Sequence, residues 1–196
     1  MTGAGGGWGA WRQALGRGIF PHQLAWFLEL PLRRLILSPE RLASRLPLRP
    51  DASVLEIGPG SGYYSLEVAR RIPAGRLELF DLQPEMLARC RAKCEAAGLA
   101  NVGFTQGDGA SLPFADASFD LVYMVTVFGE VDDTEACLRG IRRVLKPAGV
   151  LSISEHMPDP DFTSFAALRR QVEARGFRFE ERSGSRWAYT ASFRVA

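Results

Sequence analysis

The sequence is poor in cysteine and histidine and contains no long apolar run. It has three cysteines and two histidines in 196 residues. An odd number of thiols does not close a disulfide framework, and so few histidines leave a zinc site short of ligands. We therefore expect reduced cysteines, no metal and a reducing compartment, namely the cytoplasm. No run is long enough to cross a bilayer, and the glycine-rich start lacks the apolar core of a signal peptide.

The charge balance argues against a general polyanion-binding surface. The formal net charge is +2, with 23% charged and 46% hydrophobic residues, which is ordinary for a globular domain. The charge is unevenly placed, because residues 1–50 hold seven arginines and only two glutamates. A basic segment of this kind can face an anionic substrate, a lipid surface or nucleic acid, or it can be a solvated helical face.

Residues 1–49 predict an arm and a helical appendage that precede the main domain. The glycine-rich residues 1–9 predict a flexible arm. The following apolar spacing predicts helices, and Ser38-Pro39-Glu40 predicts a capped helix start. A lid over the ligand site and a plain cover over the sheet both stay open for this segment. Contact of the N-terminal helices with a membrane surface, through side chains such as Trp26 and Arg33, is a third interpretation.

Strands and helices alternate from residue 50 onward, which predicts one α/β domain over residues 50–196 with helices on both faces of a parallel sheet. No helix separates the last two strands, so they form an antiparallel hairpin, and one of them inserts beside the fifth strand. Pro147-Ala148-Gly149 predicts a turn before the fifth strand. Thr163 or Ser164 predicts the cap of the last helix. The strands are expected at 54–57, 76–80, 102–106, 120–127, 150–154, 177–182 and 189–195.

The stretch from Val54 to Ser65, VLEIGPGSGYYS, opens this domain. A short apolar strand leads into Gly58, Gly60 and Gly62, and glycines permit a tight turn and a close approach of backbone to a ligand. Strand, glycine turn and helix in this order are typical of a nucleotide-binding α/β unit. Nicotinamide dehydrogenases carry their third glycine one residue later, which disfavours that class.

Acidic residues follow the second and third strands. Asp81 lies 21 residues after the middle glycine of the turn, and Asp108 ends the third strand. Ligands bind outside the carboxyl ends of parallel strands, so Asp81 can accept hydrogen bonds from two ribose hydroxyls and Asp108 from an adenine amine. Leu82 and Ala110 could then enclose the adenine ring. Each acid alone could equally be a cap or turn residue, but together with Glu56 they mark three strand ends.

Four segments resemble the class I S-adenosylmethionine-dependent methyltransferases: VLEIGPGSGYYS, LFDLQPEML, TQGDGASLPFADASFDLVY and RVLKPAGVLSISE. The resemblance covers about residues 40–196. It is strongest to the small-molecule group that includes the ubiquinone and menaquinone biosynthesis methyltransferases. It implies a Rossmann-like seven-stranded sheet of order 3-2-1-4-5-7-6 with strand seven antiparallel. It also implies S-adenosylmethionine as cofactor, S-adenosylhomocysteine as product, and a small, partly apolar methyl acceptor.

The same resemblance implies the site residues. It places Glu56 behind the glycine loop, near the methionine part of the cofactor, and the end of strand four beside the sulfonium. The histidines that the family often carries after strand four are absent here, so no general base is assigned, and Glu130, Glu155 and His156 are the candidates. The residues expected to bind the cofactor are Glu56, Gly58, Gly60, Ser61, Gly62, Tyr63, Asp81, Leu82, Asp108, Gly109, Ala110, Met124 and Val125.

Three functions stay open at the level of sequence. The first is an enzyme that methylates a small molecule, and the second is a module that binds the cofactor without transferring a methyl group. The third is a protein or nucleic-acid methyltransferase guided by the basic N-terminal region. The Asn/Asp-Pro-Pro-Tyr signature of amino-group methylation on DNA bases is absent, so DNA is not expected as a partner. No oligomeric state is predicted.

Overall fold

The computed structural model describes residues 36–196. The predicted arm and most of the helical appendage lie outside the described residues, and so does the predicted membrane contact near Trp26 and Arg33. Within residues 36–196, no helix has the length and apolar character needed to cross a bilayer.

The described chain alternates strands and helices, as the sequence predicts. The strands are β1 (Ser53–Ile57), β2 (Arg76–Asp81), β3 (Val102–Gln106), β4 (Phe119–Val125), β5 (Leu145–His156), β6 (Phe177–Gly184) and β7 (Ala188–Val195). The helices are α1 (Pro39–Arg45), α2 (Ser65–Arg71), α3 (Pro84–Ala96), α4 (Thr134–Val144) and α5 (Phe165–Glu173), and a 3-10 helix, Phe128–Glu130, follows β4.

All seven strands form one sheet of order β3-β2-β1-β4-β5-β7-β6. Strand β7 is antiparallel to both β5 and β6, and the first five strands are parallel. Ile57 lies opposite both Phe80 and Met124, and Val125 lies opposite Ser154. The predicted fold class is therefore confirmed, and the carboxyl ends of the central strands lie at one level.

Hydrophobic side chains cover both faces of the sheet, because successive residues of a strand point to opposite faces. On β1, Leu55 and Ile57 join a core formed with α4 and α5, whereas Val54 joins a core formed with α1, α2 and α3. Leu42 of α1 is fully buried in this second core. Helix α1 belongs to the segment predicted as lid or cover, and it contributes Leu42 to this core.

The boundaries of two strands differ from those predicted. Strand β4 ends at Val125 rather than at residue 127, because Thr126 adopts a φ of 53° and leaves the extended conformation. Strand β5 begins at Leu145 rather than at residue 150. Residues 147–149, predicted as a turn, lie within β5 at an irregularity, where the pairing with β4 shifts register. At α5, the predicted cap is confirmed as Ser164, whose side chain accepts from the Ala167 N–H.

At the amino edge of the sheet, Asp120 joins three elements. Its carboxylate accepts hydrogen bonds from the Ser53 N–H at 2.9 Å, Lys146 Nζ at 2.7 Å and Arg49 Nη2 at 3.2 Å. Burial opposes ionisation, but the hydrogen bonds from Lys146, Ser53 and Arg49 hold the pKa of Asp120 below its usual value. The charged carboxylate therefore stabilises the fold at neutral pH.

We expect the substitution Asp120→Asn to lower the free energy of unfolding by about 1–2 kcal/mol, the usual effect of losing charge-assisted hydrogen bonds. A lowered folded-state pKa gives stability above the unfolded-state pKa and loses it as the pH falls through the folded-state value. Below about pH 4, the free energy of unfolding of the wild type should thus fall to that of Asp120→Asn. Urea unfolding at pH 7 and at low pH measures this, and an equal difference at both pH values would contradict it.

Candidate functional site

The loops that follow the parallel strands start together at the carboxyl edge of the sheet. The Gly58 N–H, just beyond β1, donates to the Phe80 carbonyl of β2 at 2.9 Å. The Thr126 N–H, just beyond β4, donates to the Ser154 carbonyl of β5 at 2.8 Å. Each loop is therefore anchored to the neighbouring strand, and residues predicted to act together are held along one edge.

The glycine loop adopts backbone conformations that require glycine. Gly58, Gly60 and Gly62 have φ values of 69°, 55° and 78°, in the left-handed region. A Cβ atom on Gly58 would also lie 2.5 Å from Cγ2 of Val127, in the loop after β4. Between these glycines, the Ser61 hydroxyl is buried and finds no hydrogen-bond partner among the described residues.

Glu56 lies behind the glycine loop, as predicted. Its side chain is buried, and its carboxylate accepts a hydrogen bond from the Ser65 hydroxyl at 2.5 Å. Tyr123 occupies the position directly opposite on β4. Burial raises the pKa of Glu56 to about 7, although the hydroxyls of Ser65 and Tyr123 favour the charged form and the nearby Asp81 opposes it. The carboxyl therefore titrates near neutral pH.

Asp81 ends β2 with its side chain almost fully buried. One carboxylate oxygen accepts the Gln83 N–H at 2.8 Å. Burial raises the pKa of Asp81, and the backbone N–H groups of Gln83, Gly60 and Leu82 act in the opposite direction. The carboxylate thus lies between the glycine loop and the start of α3. The Leu82 side chain next to it is 45% exposed, which is unusual for a large apolar residue.

Asp108 lies beyond β3 in a compact turn next to Asp81. Its carboxylate accepts the Ala110 N–H at 2.9 Å, so the turn is closed by the aspartate itself. The Gly107 N–H donates to the Asp81 carbonyl at 3.0 Å, which ties the turn to the end of β2. The structure therefore brings Asp81, Leu82, Asp108, Gly109 and Ala110 to adjacent loops.

The end of β4 lies beside the glycine loop, but its side chains do not point into it. Met124 and Val125 are both buried, in the cores on opposite faces of the sheet. If this segment touches a cofactor, the contact has to come from backbone atoms. The next residue, Thr126, has a φ of 53°, which is rare for a β-branched side chain and typical of strain stored at functional sites.

The candidates for a general base lie on two different elements. Glu130 belongs to the 3-10 helix after β4. Glu155 and His156 are consecutive, buried residues at the end of β5, so their side chains point to opposite faces of the sheet. Burial raises the pKa of Glu155 to about 8, with the Thr163 N–H acting against this rise and Asp159 and Asp161 adding to it.

Sequence reasoning missed Tyr123 and Ser65 as neighbours of Glu56. Tyr123 contributes to the Glu56 environment only because β4 pairs with β1 in this register, which no local pattern shows. The end of strand four was predicted to lie beside the sulfonium, but the positive φ of Thr126 and the packing of the Val127 side chain on Gly58 were not predicted. Among residues 36–196, no group of three His, Cys, Asp or Glu side chains is arranged to hold a metal ion.

Comparison with known proteins agrees with this geometry. A family model described as a methyltransferase domain matches residues 54–149. A demethylmenaquinone methyltransferase of Thermus thermophilus is 37% identical over 107 residues, which are 55% of this chain and 48% of that protein. A ubiquinone/menaquinone biosynthesis C-methyltransferase of Klebsiella pneumoniae is 30% identical over 149 residues, 74% of this chain and 59% of that protein. The chain thus spans about half the length of the curated relatives it matches.

Solved structures give the same fold. A SAM-dependent methyltransferase from Aquifex aeolicus superposes with a TM-score of 0.84 at 22% identity, over 91% of this chain and all of that one. The [4+2]-cyclase SpnF superposes with a TM-score of 0.68 at 26% identity, over 76% of this chain and 58% of that one. The sheet order and the loops at its carboxyl edge are those of the class I S-adenosylmethionine-dependent methyltransferases, and the matching family model is a methyltransferase domain. In sequence the chain is similar to the ubiquinone/menaquinone biosynthesis methyltransferases, as the motifs predict.

Proposed function

We propose that the protein transfers a methyl group from S-adenosylmethionine to a small, partly apolar acceptor. One observation carries this proposal: the glycine loop, the buried Asp81 carboxylate and the Asp108 turn lie on neighbouring loops at the same edge of the sheet.

The residues at this edge fit S-adenosylmethionine. When bound, this cofactor supplies a methyl group on a positively charged sulfur, which keeps the electron pair of the broken bond. Asp81 would accept hydrogen bonds from the ribose hydroxyls, and the Asp108 turn would hold the adenine with the exposed Leu82. The Ser61 hydroxyl lies between the positive-φ glycines, is buried and has no hydrogen-bond partner among residues 36–196, so it could bind a polar group of the cofactor.

The chemistry of the acceptor follows from that of the donor. A methyl group on a sulfonium is an electrophile, so the atom that receives it must be electron-rich. Several relatives are named ubiquinone/menaquinone biosynthesis C-methyltransferases, a name that gives methylation at carbon. A quinone ring is electron-poor, whereas its reduced, dihydroxylated form is electron-rich. We therefore propose a hydroxylated aromatic ring as the acceptor class.

The test uses the purified full chain. Titration calorimetry should show binding of S-adenosylhomocysteine. Incubation with S-adenosylmethionine and a chemically reduced, short-chain prenyl-naphthoquinol without oxygen should give a product heavier by one CH2 group, with one S-adenosylhomocysteine per product. A protein without affinity for S-adenosylhomocysteine would refute the proposal. Affinity without transfer to any hydroxylated ring would refute the acceptor class.

A second function remains open, in which the protein binds the cofactor without transferring a methyl group. The observation in its favour is that a solved structure with the same fold is named as a cyclase. Calorimetry with S-adenosylhomocysteine does not separate the two functions, but the release of S-adenosylhomocysteine from S-adenosylmethionine does.

We further propose a cytoplasmic location. The location is supported by Cys90, Cys94 and Cys137, which are all free and buried. The division between residues 1–49 and residues 50–196 stays a prediction, and so does contact of the N-terminal helices with a membrane surface.

Deletion of residues 1–35 should preserve cofactor affinity and lower turnover if the segment closes over the acceptor.

A further inference from the structure

A carboxyl group at the end of β5 has no role in the cofactor site described above. Glu155 is 1% exposed, and one of its carboxylate oxygens, Oε2, accepts the Thr163 N–H at 3.3 Å. The other oxygen, Oε1, is buried and finds no hydrogen-bond partner within the described part of the chain. Buried polar atoms are nearly always paired in folded proteins, so an orphaned carboxylate oxygen points to a partner that arrives with a ligand.

We propose that Oε1 of Glu155 binds a hydroxyl group of the methyl acceptor and takes its proton. This inference rests on the proposed function, and it assigns the acceptor-binding position within that site. The ligand class is a phenol or another hydroxylated ring, because a carboxylate recognises a hydroxyl proton and a ring carbon becomes a better nucleophile when that proton leaves.

The place of Glu155 in the fold suits this role. Strand β5 is the neighbour of β4, and the residue before Glu155 accepts the Thr126 N–H at 2.8 Å. Glu155 is therefore adjacent to the strained turn that leads toward Val127, whose side chain packs on Gly58 of the glycine loop. An acceptor that reaches from Glu155 across the end of β4 would meet the loop proposed to hold the cofactor.

Aromatic side chains lie next to the strand position of Glu155. Tyr189 of β7 lies directly opposite Glu155 in the sheet. The rings of Phe162 and Phe165 pack edge-on against Tyr189, with centroids 6.1 Å and 5.8 Å away. The Tyr189 hydroxyl donates to the Thr163 carbonyl at 2.6 Å, so it does not donate its proton to the Glu155 carboxylate. An aromatic wall beside one free oxygen fits a flat ring that carries a hydroxyl.

The charges around Glu155 favour proton uptake. Asp159 and Asp161, in the loop that covers it, add negative charge, and the Thr163 N–H offsets this only in part. Arg182 of β6 acts on Tyr189 rather than on Glu155. Burial and these acids raise the pKa of Glu155 to about 8. A group with a pKa near the working pH is an efficient general base.

The proton transfer balances as follows. The acceptor O–H bond breaks, its proton moves to Oε1, and its electron pair enters the ring. The ring carbon then forms the new bond to the methyl group. The proton that this carbon carried leaves to solvent, the ring regains aromaticity, and Glu155 returns the proton to the oxygen. One proton is released for each methyl group transferred.

His156 and Glu130 are the competing candidates. His156 follows Glu155 in the same strand and so faces the other side of the sheet. Glu130 lies in the 3-10 helix after β4 and is half-buried. Variants at both positions therefore discriminate between the three candidates.

The experiment compares Glu155→Gln with wild type, with His156→Gln, with Glu130→Gln and with Glu181→Gln, an exposed glutamate on β6. Each folded variant is tested for S-adenosylhomocysteine affinity and for methylation of the reduced prenyl-naphthoquinol. Glu155→Gln should keep its affinity for S-adenosylhomocysteine and lose about 100-fold in kcat. The wild-type rate should rise between about pH 6 and 9, in step with a pKa of about 8, and this rise should vanish in Glu155→Gln.

A binding measurement keeps the inference separate from the proposed function. Titration calorimetry measures how tightly the protein binds 1-naphthol, a hydroxylated ring. With S-adenosylhomocysteine bound at pH 8, wild type should bind 1-naphthol about ten-fold more tightly than Glu155→Gln does, because a charged carboxylate accepts the hydroxyl hydrogen bond more strongly than an amide does. Equal naphthol affinity in both proteins would overturn the inference even if wild type transfers no methyl group. Retained activity in Glu155→Gln, or a large loss only in His156→Gln or Glu130→Gln, would also overturn it.

Discussion

Replacing Asp81 by asparagine should weaken the binding of S-adenosylhomocysteine about 100-fold while the protein stays folded. Hydrogen bonds to a charged group contribute about 1.5–3 kcal/mol each, and a ribose offers two hydroxyls to this carboxylate. Asparagine keeps one carbonyl oxygen, which can still accept the Gln83 N–H now bound at 2.8 Å. The substitution therefore removes the charge and one acceptor without freeing the turn that starts α3.

Titration calorimetry at pH 7 measures the loss, with Asp51→Asn as matched control. Asp51 is an exposed aspartate just before β1, at the opposite edge of the sheet, and it pairs with Arg49 at 3.3 Å. Its substitution should leave the affinity unchanged. Adenosine alone should show the same loss in Asp81→Asn, because the ribose is the part concerned. An affinity equal to that of wild type would remove Asp81 from the ribose site.

The fold features that could be predicted from the sequence are those that depend on local sequence patterns. The parallel sheet, the hairpin of β6 and β7, and the caps of α1 and α5 follow from local patterns and from the topology rules of parallel sheets, whereas the strand order came from the family resemblance. The glycine loop and the two aspartates follow from the position of strand ends, which the sequence marks with short apolar runs. The predicted alignment of these residues at one edge then needs only the parallel pairing of their strands.

What the sequence did not show depends on pairs of residues far apart in the chain. Glu56 meets Tyr123 because β1 and β4 pair in one particular register. The orphaned oxygen of Glu155 depends on which side chains the loop at residues 157–164 supplies, and the sequence offered Glu155 and His156 as equal neighbours. Only the alternation of β5 within the assembled sheet places them on opposite faces.

The position at which β4 ends also depends on residues that are far apart in the chain. The mainly apolar segment from 120 to 127 predicts a longer strand than the one that forms. The strand stops at Val125 because Thr126 turns into the left-handed region and Val127 must pack on Gly58. Two loops therefore determine each other's shape, and neither sequence segment alone contains that information.

This contact between the two loops predicts a large effect for Gly58→Ala. Alanine at a φ of 69° is strained by about 1 kcal/mol. Its Cβ would also lie 2.5 Å from Cγ2 and 2.8 Å from Cγ1 of Val127. Overpacking of this kind costs about 1–3 kcal/mol, so the free energy of unfolding should fall by about 2–4 kcal/mol. Because the loop must shift, S-adenosylhomocysteine binding should weaken as well.

Gly98 offers the matched control, because it has nearly the same conformation without the contact. Its φ is 67°, and a Cβ there would meet no atom within 4 Å. Gly98→Ala should therefore show the conformational strain alone, about 1 kcal/mol in urea unfolding. The double variant Gly58→Ala/Val127→Ala removes both clashing methyl groups and should recover the difference between the two single glycine variants. Equal destabilisation by Gly58→Ala and Gly98→Ala would show that Val127 does not constrain the glycine loop. A larger loss in Gly58→Ala that Val127→Ala relieves would show that the end of β4 sets the shape of the loop proposed to hold the cofactor.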